Sequence, residues 1–358
     1  MFVAWRDLRF AKGRFALMGA VVVLITLLVG LLSGLTAGLA RENTSAITGL
    51  PADHLAFAAP PDGQSVSFTN SSVPESAWNT WARQPGVTGA HPVGIRTLNA
   101  ASGDRTAGVS AFGVEPDAGI APGQLAPGRA VLSEKAAKEL AVAPGGAVRV
   151  GTLELRVEAV AGEASFSHTP VVWVALDDWQ RIGHSGTTTE EQATVVALTT
   201  KGADIAAGDQ AAGTETRTLD GALTAIGSYQ AENGSLQLMR GFLFVISALV
   251  IGAFFTVWTI QRSADIAVLK ALGAATPYLL KDALGQAVLM LAAGTGIGTG
   301  LAAAIGAVIS GGDVPFVLDP PTVLVPALVM IALGALGAAL SIRRITAVDP
   351  LTALGSAR

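Results

Sequence analysis

The chain has 358 residues, of which 51% are hydrophobic and only 14% are charged, and its mean hydropathy is +0.52. Soluble domains carry about 25% charged residues, so this composition excludes an ordinary soluble protein and indicates a membrane protein with enough polar length for one soluble domain. The net charge of −4 offers no basic surface for nucleic acid, and the absence of cysteine excludes disulfides, thiolate metal sites and cysteine nucleophiles.

The N-terminal residues predict a surface helix followed by a membrane span. Residues 1–14 interleave apolar and basic side chains, a pattern that would lay a helix along a membrane surface with its bases toward the headgroups. Residues 15–40 carry no charged side chain and are long enough to cross roughly 30 Å of hydrocarbon. A cleaved signal peptide is the alternative. Its apolar region is usually only about 7–15 residues long, so we expect an uncleaved transmembrane helix.

Gly30, Gly34 and Gly38 recur at every fourth position within this first span. Small residues on one stripe let two helix backbones approach closely in lipid, so the spacing predicts a helix–helix contact, which could join two copies of the protein. The alternative is that glycine is simply frequent, because the chain contains 42 of them.

Residues 41–217 predict an extracytoplasmic α+β domain of one or two lobes. Short β-rich runs separated by turn residues predict strands at Leu55–Ala59, Val66–Thr69, Val93–Leu98, Gly108–Val114, Ala147–Val150, Leu153–Val160, Val171–Ala175 and Thr194–Thr199. Helices are predicted at Pro74–Arg83, Ser133–Ala141, Asp177–Ile182 and Ala203–Ala212, with Ser133 as an N-cap and Pro74 in a first turn. We expect loops at Asp62–Ser72 and Gly183–Gly186.

Residues 218–240 predict a helical stalk that leads to the next span. Its apolar face is formed by Leu219, Leu223, Ile226 and Tyr229. Asn233 and Gly234 interrupt this pattern, so we expect the stalk to break there.

Three further charge-free stretches, 241–260, 283–312 and 320–342, predict three more spans. They are joined by a loop at 261–282 and a short loop at 313–319, and a tail follows at 343–358. The predicted fold class is therefore an α-helical membrane protein with four transmembrane helices and an α+β domain inserted between helices 1 and 2.

The short segments differ in charge, which predicts the orientation in the membrane. Residues 1–14, 261–282 and 343–358 are rich in lysine and arginine, whereas the loop at 313–319 carries only acids among its charged residues. Because short basic segments stay in the cytoplasm, both termini should be cytoplasmic and the α+β domain should lie outside.

No catalytic constellation is visible in the sequence. His54, His91, His168 and His184 show no metal-binding spacing, so we interpret them as isolated surface histidines. The phosphate-binding pattern GxxxxGK[ST] is absent, so nucleotide hydrolysis would need a separate chain. The predicted spans contain no charged residue, which argues against a proton-coupled pump.

The loop between spans 2 and 3 contains a short amphipathic segment, RSADIAVLKALG. Ile266, Leu269 and Leu272 recur at helical spacing, and Gly273 provides a helix stop. The polar positions are Arg262, Asp265 and Lys270. A helix this short needs a membrane surface or a partner protein to bury its apolar face.

This segment resembles the signature R-x-x-[ED]-I-x-[IVL]-L-[KR]-A-[LI]-G-A of permeases of the MacB/FtsX family of ABC transporters, also called type VII. The segment VDPLTAL at Val348–Leu354 is similar to the closing segment of the family. Gln286 stands where many members have glutamate. This difference points away from the lipoprotein-releasing members. The resemblance implies a homodimeric permease in the cell membrane, with the segment Arg262–Gly273 coupled to a separate ABC ATPase, present in two copies, that binds ATP.

Within that family the segment Glu42–Ala58 is similar to the permease of HrtBA-type haem exporters. This resemblance implies that a HrtA-like ATPase drives extrusion of haem from a bacterial membrane. The alternatives are an FtsX-like mechanotransmitter that moves no substrate and a MacB-like exporter of a peptide or drug. A non-ABC sensor would leave the signature unexplained.

Candidate haem contacts follow from haem chemistry. Without cysteine, the side chains that can bind the iron are histidine, methionine, tyrosine and carboxylates. Four candidates lie where spans 1 and 2 leave the membrane, and they are Glu42, Tyr229, Glu232 and Met239. They could face an apolar groove lined by Leu31, Leu35, Leu236 and Phe242. The alternative is that Glu42 and Glu232 are solvated residues at the membrane boundary.

Overall fold

The computed structural model describes residues 12–183, 192–261, 268, 273–310 and 314–346. The chain divides into two compact units, one formed by Leu39–Gly234 and the other by Met1–Gly38 together with Ser235–Arg358. We call the first the sheet unit and the second the helical unit.

The elements follow one another in chain order. Helix α1 spans Lys12–Thr48. The strands are β1 (His54–Ala58), β2 (Val73–Pro74), β3 (Val87–Ser102), β4 (Arg105–Val114), β5 (Arg129–Leu132), β6 (Ala147–Val150), β7 (Leu153–Val160), β8 (Ser165–Phe166), β9 (Thr169–Ala175), β10 (Gln192–Ala193), β11 (Val195–Thr200) and β12 (Thr214–Thr218). The helices between them are α2 (Glu75–Ala82), α3 (Glu134–Leu140), α4 (Leu176–Gly183), α5 (Ile205–Ala212), α6 (Leu219–Ala222) and a 3₁₀ turn at Leu223–Ala225. Three long helices complete the described chain, α7 (Gly227–Gln261), α8 (Thr276–Ile309) and α9 (Pro320–Thr346).

The sheet unit is built on one mixed sheet with the strand order β12-β1-β11-β3-β4-β9-β5-β7-β6. Strand β6 also pairs with β3, so the part of the sheet from β3 to β6 closes on itself. Most neighbours are antiparallel, but β4 pairs with β9 and β5 pairs with β7 in parallel. Closure leaves no free edge in that part. At the other end, Asp209 accepts a hydrogen bond from the Thr216 amide of β12 at 3.0 Å.

Among the described residues, three apolar clusters hold the sheet unit together. The largest lies under the sheet and combines strand residues such as Phe57 and Phe112 with Ile47 from the last turns of α1 and with Ile226. A second cluster fills the closed part of the sheet and includes α3 and α4. The third packs α2 against the sheet around the fully buried Trp81. The end of α1 is therefore part of the sheet unit's core.

Trp179 of α4 packs flat on strands β3 and β4. Its ring covers Gly94 and Gly113, which are directly paired across the two strands. The Arg96 guanidinium lies over the same ring, 4.7 Å from the centroid, and burial lowers the pKa of Arg96 from its ordinary value. Glycine at both positions gives the indole room to approach the backbone.

Within the described residues, the helical unit is built mainly of long helices. Four helices are long and apolar enough to cross a membrane, at Ala16–Thr48, Gly227–Gln261, Lys281–Ile309 and Pro320–Ser341. With the α+β unit inserted between the first and second, this arrangement confirms the predicted fold class.

The glycines of α1 lie at contacts within the helical unit. A Cβ added to Gly30 would lie 2.8 Å from the Cβ of Ala302 on α8. Gly34 faces the ring of Phe316, and Gly38 faces the backbone of Pro315. The absence of side chains at these positions therefore serves packing inside one chain.

The glycines of α8 divide into two faces. Gly294 and Gly298 face α1, and a Cβ at Gly298 would come within 2.6 Å of the Val23 carbonyl oxygen. Gly296 and Gly300 have no described neighbour within 4 Å of an added Cβ. Only one of the two GxxxG faces is therefore used in packing against the described part of the chain.

Several local predictions are wrong. Val66–Thr69 is not a strand. Val66 and Phe68 reach the core from a loop and the turn that follows it, and so produce an alternating pattern without strand pairing. Pro74 is the N-cap residue of α2 and not in its first turn, because it is extended and pairs with Gln192. Strands β5 and β12 carry too little apolar alternation to have been predicted.

The predicted break in the stalk also lies elsewhere. Helix α7 runs without interruption through Asn233 and Gly234. The break falls at Ile226, whose backbone is extended and whose side chain is buried in the core. A mid-helix glycine costs only about 1 kcal/mol, whereas lifting Ile226 out of the core would cost about 1.5–3 kcal/mol. Predictions for residues 1–11, 184–191, 262–267, 269–272, 311–313 and 347–358 lie outside the described residues.

Candidate functional site

A cluster of polar side chains joins three elements of the sheet unit. Its members are Asn43 of α1, Ser167 and His168 of the β8–β9 turn, and Ser228 and Glu232 of α7. We call these five residues the polar clasp. It lies where α1 enters the sheet unit and where α7 leaves it, so both helices continue from it into apolar segments long enough to span a membrane.

The β8–β9 turn has an unusual backbone. Phe166 and Thr169 are paired, so the loop contains only Ser167 and His168. Both residues have positive φ, 49° and 65°, as a type I′ hairpin requires. Asparagine and glycine usually fill such positions, and other residues are strained there by about 1–2 kcal/mol each. Strain of this kind persists where the surrounding contacts fix the conformation and often marks functional sites.

The contacts that fix the turn are present on both sides. Phe166 is buried, and its ring packs edge-on against Phe68 and Phe112, with centroids 5.3 and 5.7 Å away. On the α1 side, the amides of Ser167 and His168 donate to the carbonyl oxygens of Asn43 and Glu42 at 3.0 and 3.2 Å. The turn and the end of α1 are thus bonded through their main chains.

The contacts to α7 are made by side chains alone. His168 Nε2 lies 2.7 Å from Glu232 Oε2. Because an ionised carboxylate only accepts, Nε2 carries a hydrogen and donates it to Glu232. Asn43 Nδ2 then has Glu232 Oε2 and Ser228 Oγ as acceptors, each at 3.1 Å, and Ser228 Oγ donates to Asn43 Oδ1 at 3.2 Å. His168 and Glu232 are about two-thirds buried, with 32% and 39% of their side chains exposed.

Two ion pairs flank the polar clasp. Lys135 of α3 donates to Glu42 Oε1, and Arg41 donates to Glu163 Oε2 at 3.1 Å. The Glu42 carboxylate is only 23% exposed, whereas Glu163 is 66% exposed. Glu42 is therefore a half-buried carboxylate paired with a cation, and not a freely solvated boundary residue.

The other predicted groove residues lie in different surroundings. Tyr229 packs against the largest apolar cluster of the sheet unit. The remaining five belong to the helical unit, where Leu31, Leu35 and Leu236 are half-buried and Met239 and Phe242 are exposed. The structure thus brings Glu42 and Glu232 to the same turn, while the other members are spread over the two units.

The predicted coupling residues Arg262, Asp265, Ile266, Leu269, Lys270 and Leu272 lie outside the described residues. Gly273 is described and has a φ of 93°, in the left-handed region that favours glycine.

His168 could not be singled out from the sequence. Its partners Asn43 and Glu232 are 125 and 64 residues away in the chain, so no spacing rule could connect them. The tight turn between Phe166 and Thr169 was a weak local signal at best, because Ser-His is not a sequence that type I′ turns usually select.

Two family models match the chain. The one described as "MacB-like periplasmic core domain" matches residues 16–214, and the one described as "FtsX-like permease C-terminal" matches residues 238–350. The first alone covers more than half of the 358 residues. The chain belongs to the MacB/FtsX family of ABC transporter permeases. The permease is thus a membrane protein whose sheet unit is its extracellular domain.

Relatives support this assignment along the whole permease. A Staphylococcus haemolyticus protein named hemin transport system permease protein HrtB is 26% identical over 366 residues, covering 99% of each chain. A protein of the same name from Staphylococcus epidermidis is 32% identical over 143 residues, so this match spans 41% of that protein and 40% of the permease. An uncharacterized ABC transporter permease of Mycobacterium bovis is 25% identical over 373 residues, covering 99% of each chain.

Two solved structures are similar to the permease over about half its length. One is the extracellular domain of the noncanonic ABC-type transporter YknZ from Gram-positive bacteria, with a TM-score of 0.35, 16% identity, and coverage of 47% of the permease and 98% of that chain. The other is the periplasmic region of MacB from Actinobacillus actinomycetemcomitans, with a TM-score of 0.36, 14% identity, and coverage of 49% and 92%.

Proposed function

We propose that this permease is the membrane subunit of an ATP-driven exporter that moves haem out of the cell membrane. The observation that carries the proposal is the match to the S. haemolyticus hemin permease, which runs along 99% of both chains. A match of this extent includes both the extracellular domain and the membrane spans.

The chemistry around the polar clasp suits haem. Haem offers an iron that accepts imidazole and carboxylate ligands, and two propionates that pair with cations. Glu42 and Glu232 lie beside the same turn as His168, and Lys135 supplies an ammonium group next to Glu42. We propose Glu42 and Glu232 as polar haem contacts, with Tyr229 and Met239 as further candidates. The apolar groove would be lined by Leu31, Leu35, Leu236 and Phe242.

Energy would enter through a partner chain. The permease contains no GxxxxGK[ST] pattern, so we propose that a separate HrtA-like ABC ATPase binds and hydrolyses ATP. That ATPase would dock on the segment Arg262–Gly273, and two copies of it would serve a homodimer of the permease. Both termini would then be cytoplasmic, as the basic residues of the short segments indicate.

The proposal is tested by adding hemin to the permease and its ATPase reconstituted in lipid vesicles. Hemin should raise the ATPase rate several-fold and should leave the vesicle membrane when ATP is supplied. Iron-free protoporphyrin is the matched control, because it keeps the ring and the propionates and lacks the iron.

Other outcomes identify the alternatives. An ATPase rate that does not change with hemin would refute haem export and favour an FtsX-like mechanotransmitter. Stimulation by a peptide or a drug in place of hemin would favour a MacB-like exporter.

A further inference from the structure

The turn that carries His168 is held by bonds that do not involve the imidazole. The amides of Ser167 and His168 donate to carbonyl oxygens of α1, and the neighbouring Phe166 is buried in the core of the sheet unit. These bonds do not depend on the side chain at position 168, and glycine would adopt the positive φ there without strain. A histidine that persists at such a position indicates a role for its side chain beyond forming the turn.

The imidazole holds one oxygen of Glu232. His168 Nε2 donates to Glu232 Oε2 at 2.7 Å, and Asn43 Nδ2 donates to the same oxygen at 3.1 Å. Asn43 is only 1% exposed, and its Oδ1 atom accepts from Ser228, so this second donor is itself fixed in place. Two donors on one oxygen therefore set the orientation of the whole carboxylate.

The other oxygen of Glu232 is left available for a ligand. Within the described residues, Glu232 Oε1 accepts no hydrogen bond. It is also not one of the buried polar atoms that lack a partner, of which His54 Nδ1 is an example, so solvent reaches it. Haem iron accepts an anionic oxygen as an axial ligand, and carboxylates that bind metals are usually hydrogen-bonded to a second residue.

We propose that Glu232 binds the haem iron through Oε1 and that His168 is the positioning residue that holds Glu232 for this contact through Oε2. Asn43 supplies the second donor. This inference rests on the proposed function, since it concerns how the haem is bound, and it assigns the iron to one atom of the polar clasp.

Two variants separate the role of the hydrogen-bond donor from the role of the imidazole ring. His168→Gly removes the donor and suits the positive φ of the turn. His168→Gln keeps an N–H donor at a reach similar to that of Nε2. Both variants should keep the wild-type melting temperature, because the main-chain bonds of the turn remain.

Hemin and iron-free protoporphyrin test the assignment on the purified permease. The dissociation constant of hemin is measured by visible absorbance, and that of protoporphyrin by its fluorescence. His168→Gly should weaken hemin binding by about 10–100-fold, as loss of the partner of a metal ligand usually does, and should change the hemin spectrum. Its affinity for protoporphyrin should not change, because protoporphyrin has no iron. His168→Gln should match the wild type with both ligands.

His91→Ala is the matched control. His91 Nδ1 lies 3.1 Å from Glu115 Oε2, so His91 forms a second histidine–carboxylate pair in the same domain, with 38% and 45% of the two side chains exposed. It is bonded to no member of the polar clasp within the described residues. Its removal should leave the affinity for hemin unchanged.

Three results would overturn the assignment. Equal hemin affinities of the wild type and His168→Gly would remove His168 from the site. An equal loss of hemin and protoporphyrin in His168→Gly would show a general change of shape and no effect on an iron ligand. A His168→Gln variant as weak as His168→Gly would mean that the ring itself, and not its donor, is required.

The same measurements separate this inference from the proposed function. Hemin that stimulates the ATPase while His168→Gly binds it normally would support haem export and refute the role of His168. The expected pattern of affinities without ATPase stimulation or efflux would support the role of His168 and refute export. A wild-type permease that binds no hemin would refute both.

Discussion

At the scale of single residues, Glu232 is the centre of the polar clasp. Its Oε2 atom accepts from both His168 and Asn43, so the carboxylate is oriented by two donors. Glu42 is oriented by Lys135 in the same way. Carboxylates that are held in place can bind a ligand with less loss of side-chain freedom than solvated ones.

We expect Glu42→Ala and Glu232→Ala to change the absorbance of bound hemin and to weaken its binding, each by about tenfold, the worth of one charged contact at about 1.4 kcal/mol. The measurement is a hemin titration of the purified permease, followed in the visible spectrum. Glu163→Ala is the control, because Glu163 is a paired carboxylate of the same domain with 66% exposure. Unchanged spectra in both test variants would remove these carboxylates from the haem site.

Position along the chain singles out these two carboxylates as candidates, but it does not single out His168. Glu42 and Glu232 adjoin the first and second spans, so hydropathy alone marks them as boundary residues. The role of His168 depends on two residues in the left-handed conformation and on contacts with distant parts of the chain. Such a conformation is set by tertiary contacts, which a single sequence does not reveal.

At the scale of elements, Trp179 decides how α4 packs on the sheet. A Cβ added to Gly113 would lie 2.5 Å from Cγ of Trp179, closer than atoms can approach without movement of the helix. We expect Gly113→Ala to destabilise the extracellular domain by about 1–3 kcal/mol through overpacking. Thermal unfolding of the purified permease, followed by tryptophan fluorescence, should show a lower melting temperature.

The same strand supplies the control for this prediction. Gly108 also lies on β4, but a Cβ there would be 3.9 Å from its nearest neighbour, the Thr169 side chain. Gly108→Ala should therefore melt at nearly the wild-type temperature. If Gly113→Ala had the same melting temperature as Gly108→Ala, α4 would have moved to make room for the added methyl group.

Elements marked by a local sequence pattern, such as an N-cap, could be predicted. Strands that form only because they pair with a neighbouring strand could not. The Ser133 hydroxyl accepts from the Ala136 amide, as its N-cap position before an apolar helix face predicts. Strand β12 reads Thr-Glu-Thr-Arg-Thr and becomes a strand because it pairs with β1 along its whole length. Its identity is decided by the neighbouring strand, since its own pattern favours neither a strand nor a helix.

At the scale of the whole molecule, composition and charge were enough to predict four membrane spans and one inserted domain. Charge-free stretches fix the number and order of the spans, because lipid tolerates few unpaired charges. The division into two units follows, since most of the acidic residues lie between the first and second spans. The contacts of the polar clasp join residues that are far apart in the chain, which composition cannot reveal.

The proposed coupling to an ATPase makes its own prediction for the whole molecule. The helical spacing predicts that Leu269 lies in the middle of the apolar face of the segment Arg262–Gly273, so Leu269→Asp would place a charge in the proposed interface. We expect this variant to insert in the membrane and keep its melting temperature, but to lose co-purification with the ATPase and ATP-driven efflux, because an unpaired buried charge is strongly unfavourable. Leu269→Met keeps an apolar side chain of similar volume and should retain both. Normal efflux by Leu269→Asp would show that this segment only lies on the bilayer and that the ATPase acts elsewhere.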